Sequence, residues 1–286
     1  MNKFKNQIAI GTAQYDKNYG IFKKNRNLGS IFTKNFSKNF NLVDTAINYK
    51  NAPGKLKKLD KKVKIVTKIS LKNITYNKSY TENEILKKLE ICFFKHMKDL
   101  GRNTLYGLLL HDYKDLKVKD KIILKFLRSL KRKNIVKKIG ISIYSINELN
   151  YLFKFWKPDI LQIPTNILDR RFVNSDWYKV SKKKKIELHC RSCFLQGTIN
   201  NKFDTKNKKM ISLLNKWSKF CKNNNISTTE GAINFINKYN FDYIIFGINN
   251  KNQFKEIKKI HLKQKKLDVP VDISTNDKKI IDPSTW

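Results

Sequence analysis

The chain has 286 residues, 40% of them hydrophobic, and a formal net charge of +38. This length and apolar content suit one domain with a substantial core, and no apolar run approaches the roughly 18 residues of a transmembrane helix. The N-terminal run "IAI" is too short for the core of a signal peptide. We therefore expect a cytoplasmic protein without a membrane span.

The positive charge comes mainly from lysine, since only seven of the 61 basic residues are arginine. The lysines are scattered along the chain rather than gathered in one segment. Because base and phosphate recognition favours arginine, the composition favours a solvated basic surface over a specific nucleic-acid site. Loose attraction to polyanions at low salt is still expected.

Eight short apolar segments rich in β-branched residues recur along the chain, and each predicts a strand. Most are continuous apolar runs, as expected for parallel strands that helices cover. The predicted strands span residues 7–11, 41–46, 63–69, 105–111, 137–142, 160–166, 185–190 and 242–248.

The segments between these strands have helical patterns. Thr81 and Glu84 form a capping box at the start of the longest, which ends at Gly101, and Ser227 and Glu230 form another. The predicted helices span residues 81–101, 120–134, 145–156, 207–224 and 227–239.

Eight strands alternating with helices over about 250 residues predict a single-domain (β/α)8 TIM barrel. A doubly wound open sheet is the alternative, but no G-x-G-x-x-G motif follows the first strand. We expect the barrel to occupy residues 7–260 of a domain spanning 1–286. The polar, proline-containing residues 262–286 predict an extended C-terminal loop.

Two of the four cysteines, Cys190 and Cys193, have a C-x-x-C spacing inside an apparent strand. Side chains three apart on a strand point to opposite faces, so the two sulfur atoms are expected to diverge. Buried free thiols are therefore expected rather than a redox or zinc pair, and no metal site is predicted.

Polar residues lie at the ends of three successive strands, where a barrel places its catalytic groups. They are Asp44, with Tyr49 in the following loop, then Lys68 and His111. A lysine ammonium can lower the pKa of a tyrosine, an aspartate can pair the buried lysine, and a histidine can orient a carbonyl oxygen. Such a site protonates a developing alkoxide.

Each of these residues alone also has a structural interpretation, as a loop cap, a surface lysine or a hydrogen-bonded core histidine. Because all four lie in order at successive strand ends, a catalytic site is favoured over these structural interpretations. No side chain here donates a hydride, so the chemistry implies a nicotinamide cofactor.

The motifs "IAIGTAQYDKNYGI", "DTAINY", "IVTKIS", "LLLHD", "KKIGISIYS", "LQIPTNILDRR", "RSCFLQG" and "IIFGINNKNQFKEI" resemble the aldo-keto reductase family over residues 7–258. The resemblance implies a (β/α)8 barrel that binds NADPH, or less often NADH, without metal. The family's tetrad falls on Asp44, Tyr49, Lys68 and His111.

The resemblance also implies cofactor contacts around the barrel mouth. Arg191 stands where the family places an aromatic ring against the nicotinamide, and Lys251 can neutralise a 2′-phosphate. The implied contacts are Gly11, Thr12, Ser142, Gln162, Asn166, Arg191, Phe194, Gly197, Gly247, Asn249, Asn250, Lys251 and Gln253.

Besides Arg191, three positions depart from the family pattern. Ile143 replaces a common carboxamide-binding asparagine, Lys50 replaces a glycine after the tetrad tyrosine, and Asn249 replaces a common basic residue. NADP(H) is expected, with NAD(H) the alternative, and the loop after Tyr49 is expected to affect substrate access.

The leading hypothesis is an NAD(P)H-dependent oxidoreductase that interconverts a carbonyl and an alcohol, with Tyr49 as proton donor. The motifs "GTAQYDKNYGI" and "RSCFLQG" resemble bacterial members of the family that are found with surface-sugar biosynthesis genes, and this resemblance implies a sugar or sugar-derived carbonyl as substrate. A nucleotide-binding barrel with little turnover, acting as a redox sensor or partner subunit, is the second hypothesis. A charge-driven polyanion-binding protein is the third. The sequence determines neither the substrate nor the oligomeric state.

Overall fold

A computed structural model describes residues 6–15, 31–49, 51–200, 205–263 and 265–283. Within them, eight parallel strands close into a barrel in the order β1-β2-β3-β4-β5-β6-β7-β8. This confirms the predicted (β/α)8 barrel. The strands are β1 Gln7–Gly11, β2 Leu42–Asp44, β3 Lys64–Ile69, β4 Leu105–Leu110, β5 Val136–Ser142, β6 Ile160–Pro164, β7 Glu187–Arg191 and β8 Tyr243–Gly247.

Helices surround the barrel and bury an apolar stripe against it. In α2, for example, Ile85, Leu89 and Phe93 are buried, at the spacing of one helical face. The helices are α1 Pro53–Leu56, α2 Glu82–Leu100, α3 Ile122–Arg132, α4 Asn147–Leu152, α5 Asp176–Lys183, α6 Lys208–Asn223, α7 Thr228–Asn237, α8 Lys251–Leu262 and α9 Lys278–Ile281.

The capping boxes explain where two of the helices begin. At the start of α2, Thr81 Oγ1 accepts from the Glu84 backbone N–H at 3.3 Å, and Glu84 Oε2 accepts from the Thr81 N–H at 2.7 Å. Ser227 caps α7 by accepting from the Glu230 N–H at 3.0 Å. These contacts satisfy donors that a helix start otherwise leaves unpaired.

The apolar core has two parts. A small cluster fills the barrel interior and includes Leu42, Val66, Ile160 and Ile245. A larger one lies between the sheet and the helices. The interior is therefore packed with side chains and has no pore, as is usual for this fold, and polar groups gather at its ends.

The expected extended loop at the C terminus is wrong in part, because the described segment 265–283 docks on the barrel and contains α9. Arg170 donates from its two terminal guanidinium nitrogens to the Val269 and Pro270 carbonyls, at 2.8 and 2.9 Å. The Thr275 N–H donates to the Leu168 carbonyl at 2.9 Å. These partners lie far from the tail in sequence, so no local pattern could show the docking.

Helix α5 was not predicted, because its lysine-rich sequence lacks a clear apolar stripe. Its Trp177 ring stacks on Phe153, with centroids 4.9 Å apart. No helix among the described residues is long and apolar enough to cross a membrane.

Candidate active site

The four tetrad residues come together at the carboxyl-terminal mouth of the barrel. Asp44 is the last residue of β2, Lys68 lies near the end of β3, and His111 directly follows β4. Tyr49 lies in the loop after β2. Since parallel strands all end at one face, residues distant in sequence meet there.

Lys68 and Asp44 form a buried ion pair. The Lys68 Nζ lies 2.7 and 2.6 Å from the two Asp44 carboxylate oxygens and also donates to the Thr45 carbonyl at 3.1 Å. The two residues are only 2% and 6% exposed. Burial lowers the pKa of Lys68, while the Asp44 carboxylate opposes that shift. The pair gives the interior a cation that is held in a fixed position.

Tyr49 and His111 face each other above this pair. Their ring centroids are 6.2 Å apart and the rings are nearly perpendicular, at 86°. The Lys68 Nζ lies 5.9 Å from the centroid of the Tyr49 ring. Burial, followed by the charges of Lys68 and Arg191, lowers the pKa of His111 to about 3. His111 is therefore neutral near pH 7 and can donate a hydrogen bond without carrying charge.

Gln162 and Ser142 are partners across β5 and β6 at the same mouth. The Gln162 Nε2 donates to Asp44 Oδ1 at 2.7 Å, so the ion pair fixes which way the amide points. The Gln162 Oε1 is buried without a hydrogen-bond partner among the described residues. An unpaired buried acceptor is costly, and an amide N–H of a nicotinamide would satisfy it. The site thus fits the cofactor that the sequence implied.

Arg191, at the end of β7, is held across the ends of neighbouring strands. Its Nε donates to Ser142 Oγ at 3.2 Å, and one terminal nitrogen donates to the Ile143 carbonyl at 3.0 Å. Its guanidinium lies 4.2 Å from the ring centroid of Tyr144. Sequence reasoning missed Tyr144, whose signal is an aromatic residue two positions beyond a strand end. The stacking fixes a flat cation at the mouth.

The other residues expected near the nicotinamide lie on this rim but have mainly structural contacts. Thr12 Oγ1 donates to the Asp44 carbonyl at 3.0 Å, and Gly11 pairs with Asp44 across β1 and β2. Asn166 Oδ1 accepts from the Leu168 and Asp169 N–H groups, both at 2.9 Å. In the described structure these side chains therefore support the rim and its loop.

The loop after β7 contains Phe194 and Gly197. The Phe194 ring packs against Phe246, with centroids 5.4 Å apart. Gly197 has φ +94°, in the left-handed region that favours glycine. Both residues shape the loop that the resemblance places beside the pyrophosphate.

Helix α8 begins beside the mouth, where β8 ends at Gly247. Asn250 caps it by accepting from the Gln253 N–H at 2.9 Å, and the Gln253 Oε1 accepts from the Asn249 N–H at 2.7 Å. The Lys251 Nζ lies 5.4 Å from the Phe36 ring centroid. The Asn250 and Gln253 side chains thus stabilise the helix start, a place where backbone N–H groups favour phosphate.

The expectation that the Cys190 and Cys193 sulfur atoms diverge is wrong, because they lie 3.6 Å apart. Strand β7 ends at Arg191, and Ser192 has φ +60°, so the chain turns before Cys193. Both are buried free thiols, as expected. Burial, followed by the neighbouring Cys193, raises the pKa of Cys190 well above its ordinary value.

Some positions that the sequence singled out lie outside the described residues. They are Lys50, which stands where the family has a glycine, and residues 16–21 of the first-strand motif. Within the described parts of the chain, no group of three or more His, Cys, Asp or Glu side chains could hold a metal ion.

Comparisons with solved structures agree with this architecture. An aldo-keto reductase of Bacillus halodurans in its holo form is 14% identical, with a TM-score of 0.66 over 92% of this chain and 93% of that one. An aldose reductase of Giardia lamblia is 17% identical, with a TM-score of 0.60 over 98% of each chain. An aldo-keto reductase from a deep-sea metagenome is 19% identical, with a TM-score of 0.55 over 93% of this chain and 94% of its own. At these identities the likeness shows the fold.

The protein is a (β/α)8 barrel in which the Lys68–Asp44 pair and its polar neighbours lie at one mouth. The sequence profile of the aldo/keto reductase family matches residues 7–268. The chain therefore belongs to the aldo/keto reductase family, a family of oxidoreductases that reduce carbonyl groups with NAD(P)H. No curated protein sequence matches the chain significantly.

Proposed function

We propose that this protein is an NADP(H)-dependent reductase that converts an aldehyde or ketone into an alcohol, with Tyr49 as the proton donor. The observation that carries the proposal is the buried Lys68–Asp44 pair beneath the facing rings of Tyr49 and His111. A buried, paired cation beside a phenol suits a group that becomes negative when it gives up its proton.

The reaction adds a hydride to the carbonyl carbon and a proton to its oxygen. The nicotinamide cofactor supplies the hydride when it is bound. Neutral His111 donates a hydrogen bond to the carbonyl oxygen and orients it toward Tyr49. The Tyr49 hydroxyl protonates that oxygen as it becomes an alkoxide, and Lys68 stabilises the phenolate that remains. Asp44 holds Lys68 in position.

Lys251 supports the preference for NADP(H) over NAD(H). It stands at the first position of α8, where its charge adds to that of the helix N terminus. We expect Lys251→Gln to raise the Kd for NADPH about tenfold and to leave the Kd for NADH within twofold, because only NADPH carries the 2′-phosphate. Fluorescence titration measures both constants, and equal losses for both would contradict the assignment.

A polar, hydroxyl-bearing substrate such as a sugar-derived carbonyl suits the pocket that is lined by Asp112, the residue after His111. The pocket, of about 410 Å³, is lined by Asp112, Asp115, Lys72 and Tyr76 among others. Carboxylates accept hydrogen bonds from sugar hydroxyl groups, and a tyrosine ring covers an apolar sugar face. The likeness to a protein named an aldose reductase points the same way.

The test of the proton donor is Tyr49→Phe, which removes the hydroxyl and keeps the ring. We expect kcat to fall by about 10² to 10⁴ while the Kd for NADPH stays within twofold, because proton transfer is lost and cofactor contacts are kept. Stopped assays of NADPH oxidation over sugar-derived and apolar aldehydes measure kcat. Undiminished turnover would exclude Tyr49 as donor.

The sensor or partner-subunit hypothesis predicts a different result for the unsubstituted protein. It requires tight NADPH binding without turnover on any carbonyl of that panel. The unpaired Gln162 Oε1 suits nucleotide binding in either case, whereas the Tyr49–His111 arrangement is needed only for catalysis.

A further inference from the structure

A second large cleft lies at the end of the barrel opposite the candidate active site. It has a volume of about 790 Å³ and opens between the first residues of β3, β4 and β5 and the C-terminal ends of α2 and α3. Ligand sites for small molecules typically have volumes of about 300 to 1,000 Å³. The cleft is thus large enough for a small ligand, and the oxidoreductase mechanism does not use it.

The lining of this cleft is strongly basic. Six of its fifteen lining residues carry a positive charge, and no lining residue is Asp or Glu. In the whole chain 61 of 286 residues are basic, so the cleft holds about twice its proportional share of cations. The six are Lys61, Lys62, Lys64, Arg102, Lys131 and Lys137.

Most of these cations lack a carboxylate partner. Lys131 pairs with Asp159, at 2.6 Å. The other five form no ion pair with any carboxylate of the described residues. Five unpaired like charges around one concave surface focus a positive potential into it.

Arg102 and Lys64 show how the cleft is built. Arg102 donates from one terminal nitrogen to the Asp60 carbonyl at 2.8 Å, but its Nε is buried with no hydrogen-bond partner among the described residues. Burial lowers the pKa of Arg102. Lys64 donates to the Tyr243 hydroxyl at 2.9 Å and lies 4.7 Å from the Tyr106 ring centroid. Both cations donate their hydrogen bonds to neutral groups, and the Asp60 carboxylate offsets only part of the charge of Arg102.

Interaction with a helix C terminus explains the positions of only some of these cations. The Lys61 Nζ donates to the Gly101 carbonyl at the end of α2, which is the usual use of a lysine beside a helix C terminus. Lys62 and Lys137 are exposed and have no such contact in the described structure. A helix end therefore does not explain the positions of Lys62 and Lys137.

We propose that this cleft is a binding site for a small anion with two or more phosphate groups. The charge and volume of the cleft support this ligand class. Phosphate oxygens accept from the guanidinium and ammonium groups, and Asn103, Thr104 and Asn134 add neutral hydrogen-bonding groups at the rim. A concave site of this size suits a compact anion better than a nucleic-acid duplex.

Inorganic tripolyphosphate is a suitable probe, titrated by calorimetry into the full-length protein at about 0.15 M salt with NADPH present to occupy the mouth. The test variant is the triple Lys61→Gln, Lys62→Gln, Lys137→Gln. The control is the triple Lys87→Gln, Lys208→Gln, Lys219→Gln, which removes the same charge from exposed positions on α2 and α6. Arg102→Gln tests the half-buried guanidinium separately, with the melting temperature recorded to check folding.

We expect one equivalent of tripolyphosphate to bind the unsubstituted protein and its Kd to rise about tenfold or more in the cleft triple. The control triple should stay within twofold, and NADPH binding should be the same in all three proteins. Equal losses of tripolyphosphate affinity in the cleft triple and the control triple would show an effect of general surface charge and overturn the site. The absence of measurable binding to the unsubstituted protein would also overturn it. This outcome is independent of whether the protein reduces carbonyls.

Discussion

At the scale of single residues, the Lys68–Asp44 pair determines both the charge and the stability of the barrel mouth. Each partner is nearly buried, and Asp44 also accepts from the Gln162 amide. Removing one partner of such a pair leaves an uncompensated charge in an apolar interior. The stability that is lost when one partner is removed can therefore be measured separately from the loss of catalysis.

We expect Lys68→Met to lower the free energy of unfolding by about 3 to 5 kcal/mol, because Asp44 is left buried and unpaired. The double variant Asp44→Asn, Lys68→Met should recover much of that stability, yet both variants should lack measurable turnover. Urea unfolding and NADPH oxidation are the two measurements. Activity in the double variant would show that the cation is not needed by Tyr49.

At the scale of elements, close packing between β5 and β6 positions Ser142 and Gln162. Gly140 lies two residues before Ser142, and a Cβ built there would come within 2.1 Å of the Ile160 carbonyl oxygen. Since backbone atoms cannot move aside as a flexible side chain can, only glycine fits between these strands. The spacing of Ser142 and Gln162 at the mouth depends on it.

We expect Gly140→Ala to lower the free energy of unfolding by about 3 kcal/mol, as overpacking of a core does, and to weaken NADPH binding. Gly54→Ala is the matched control, because a Cβ there meets nothing within 4 Å and Gly54 lies in helix α1. It should leave stability unchanged or raise it by up to about 1 kcal/mol. Denaturant midpoints of the two variants distinguish packing from a general effect of adding a methyl group.

At the scale of the whole molecule, buried histidines link folding to pH. Burial lowers the pKa of His96 to about 4, and His111 and His261 are shifted in the same direction. Below pH 6.5 the unfolded chain takes up protons that the folded chain does not. These groups therefore contribute stability that is complete above pH 6.5 and is lost as the pH falls toward 4.

We expect His96→Gln to reduce the acid-induced loss of unfolding free energy by about 1.4 kcal/mol per pH unit between pH 6.5 and 4. The reason is that the unfolded variant takes up one proton fewer than the unfolded unsubstituted chain. Asp115→Asn should act in the opposite sense, because burial raises the pKa of Asp115 to about 6 and its proton uptake favours the folded state. Unfolding free energies at pH 7, 6, 5 and 4.5 test both. Parallel curves for His96→Gln and the unsubstituted protein would contradict the shift.

The sequence by itself determined the barrel and the grouping of Asp44, Tyr49, Lys68 and His111 at its mouth. Both follow from local information, because apolar runs define parallel strands and the residue that ends each strand must lie at one face. The same local rule failed for Cys190 and Cys193, since the turn at Ser192 ends the strand between them.

Only the tertiary structure decided what those residues contact. The Gln162 amide is directed at Asp44, Arg191 stacks on Tyr144, and the Asn250 and Gln253 side chains cap a helix. The tail docks through Arg170, and five unpaired cations gather at the opposite end of the barrel. Most of these contacts join segments far apart in the chain, and their existence depends on distances and directions that close packing sets after the barrel has formed.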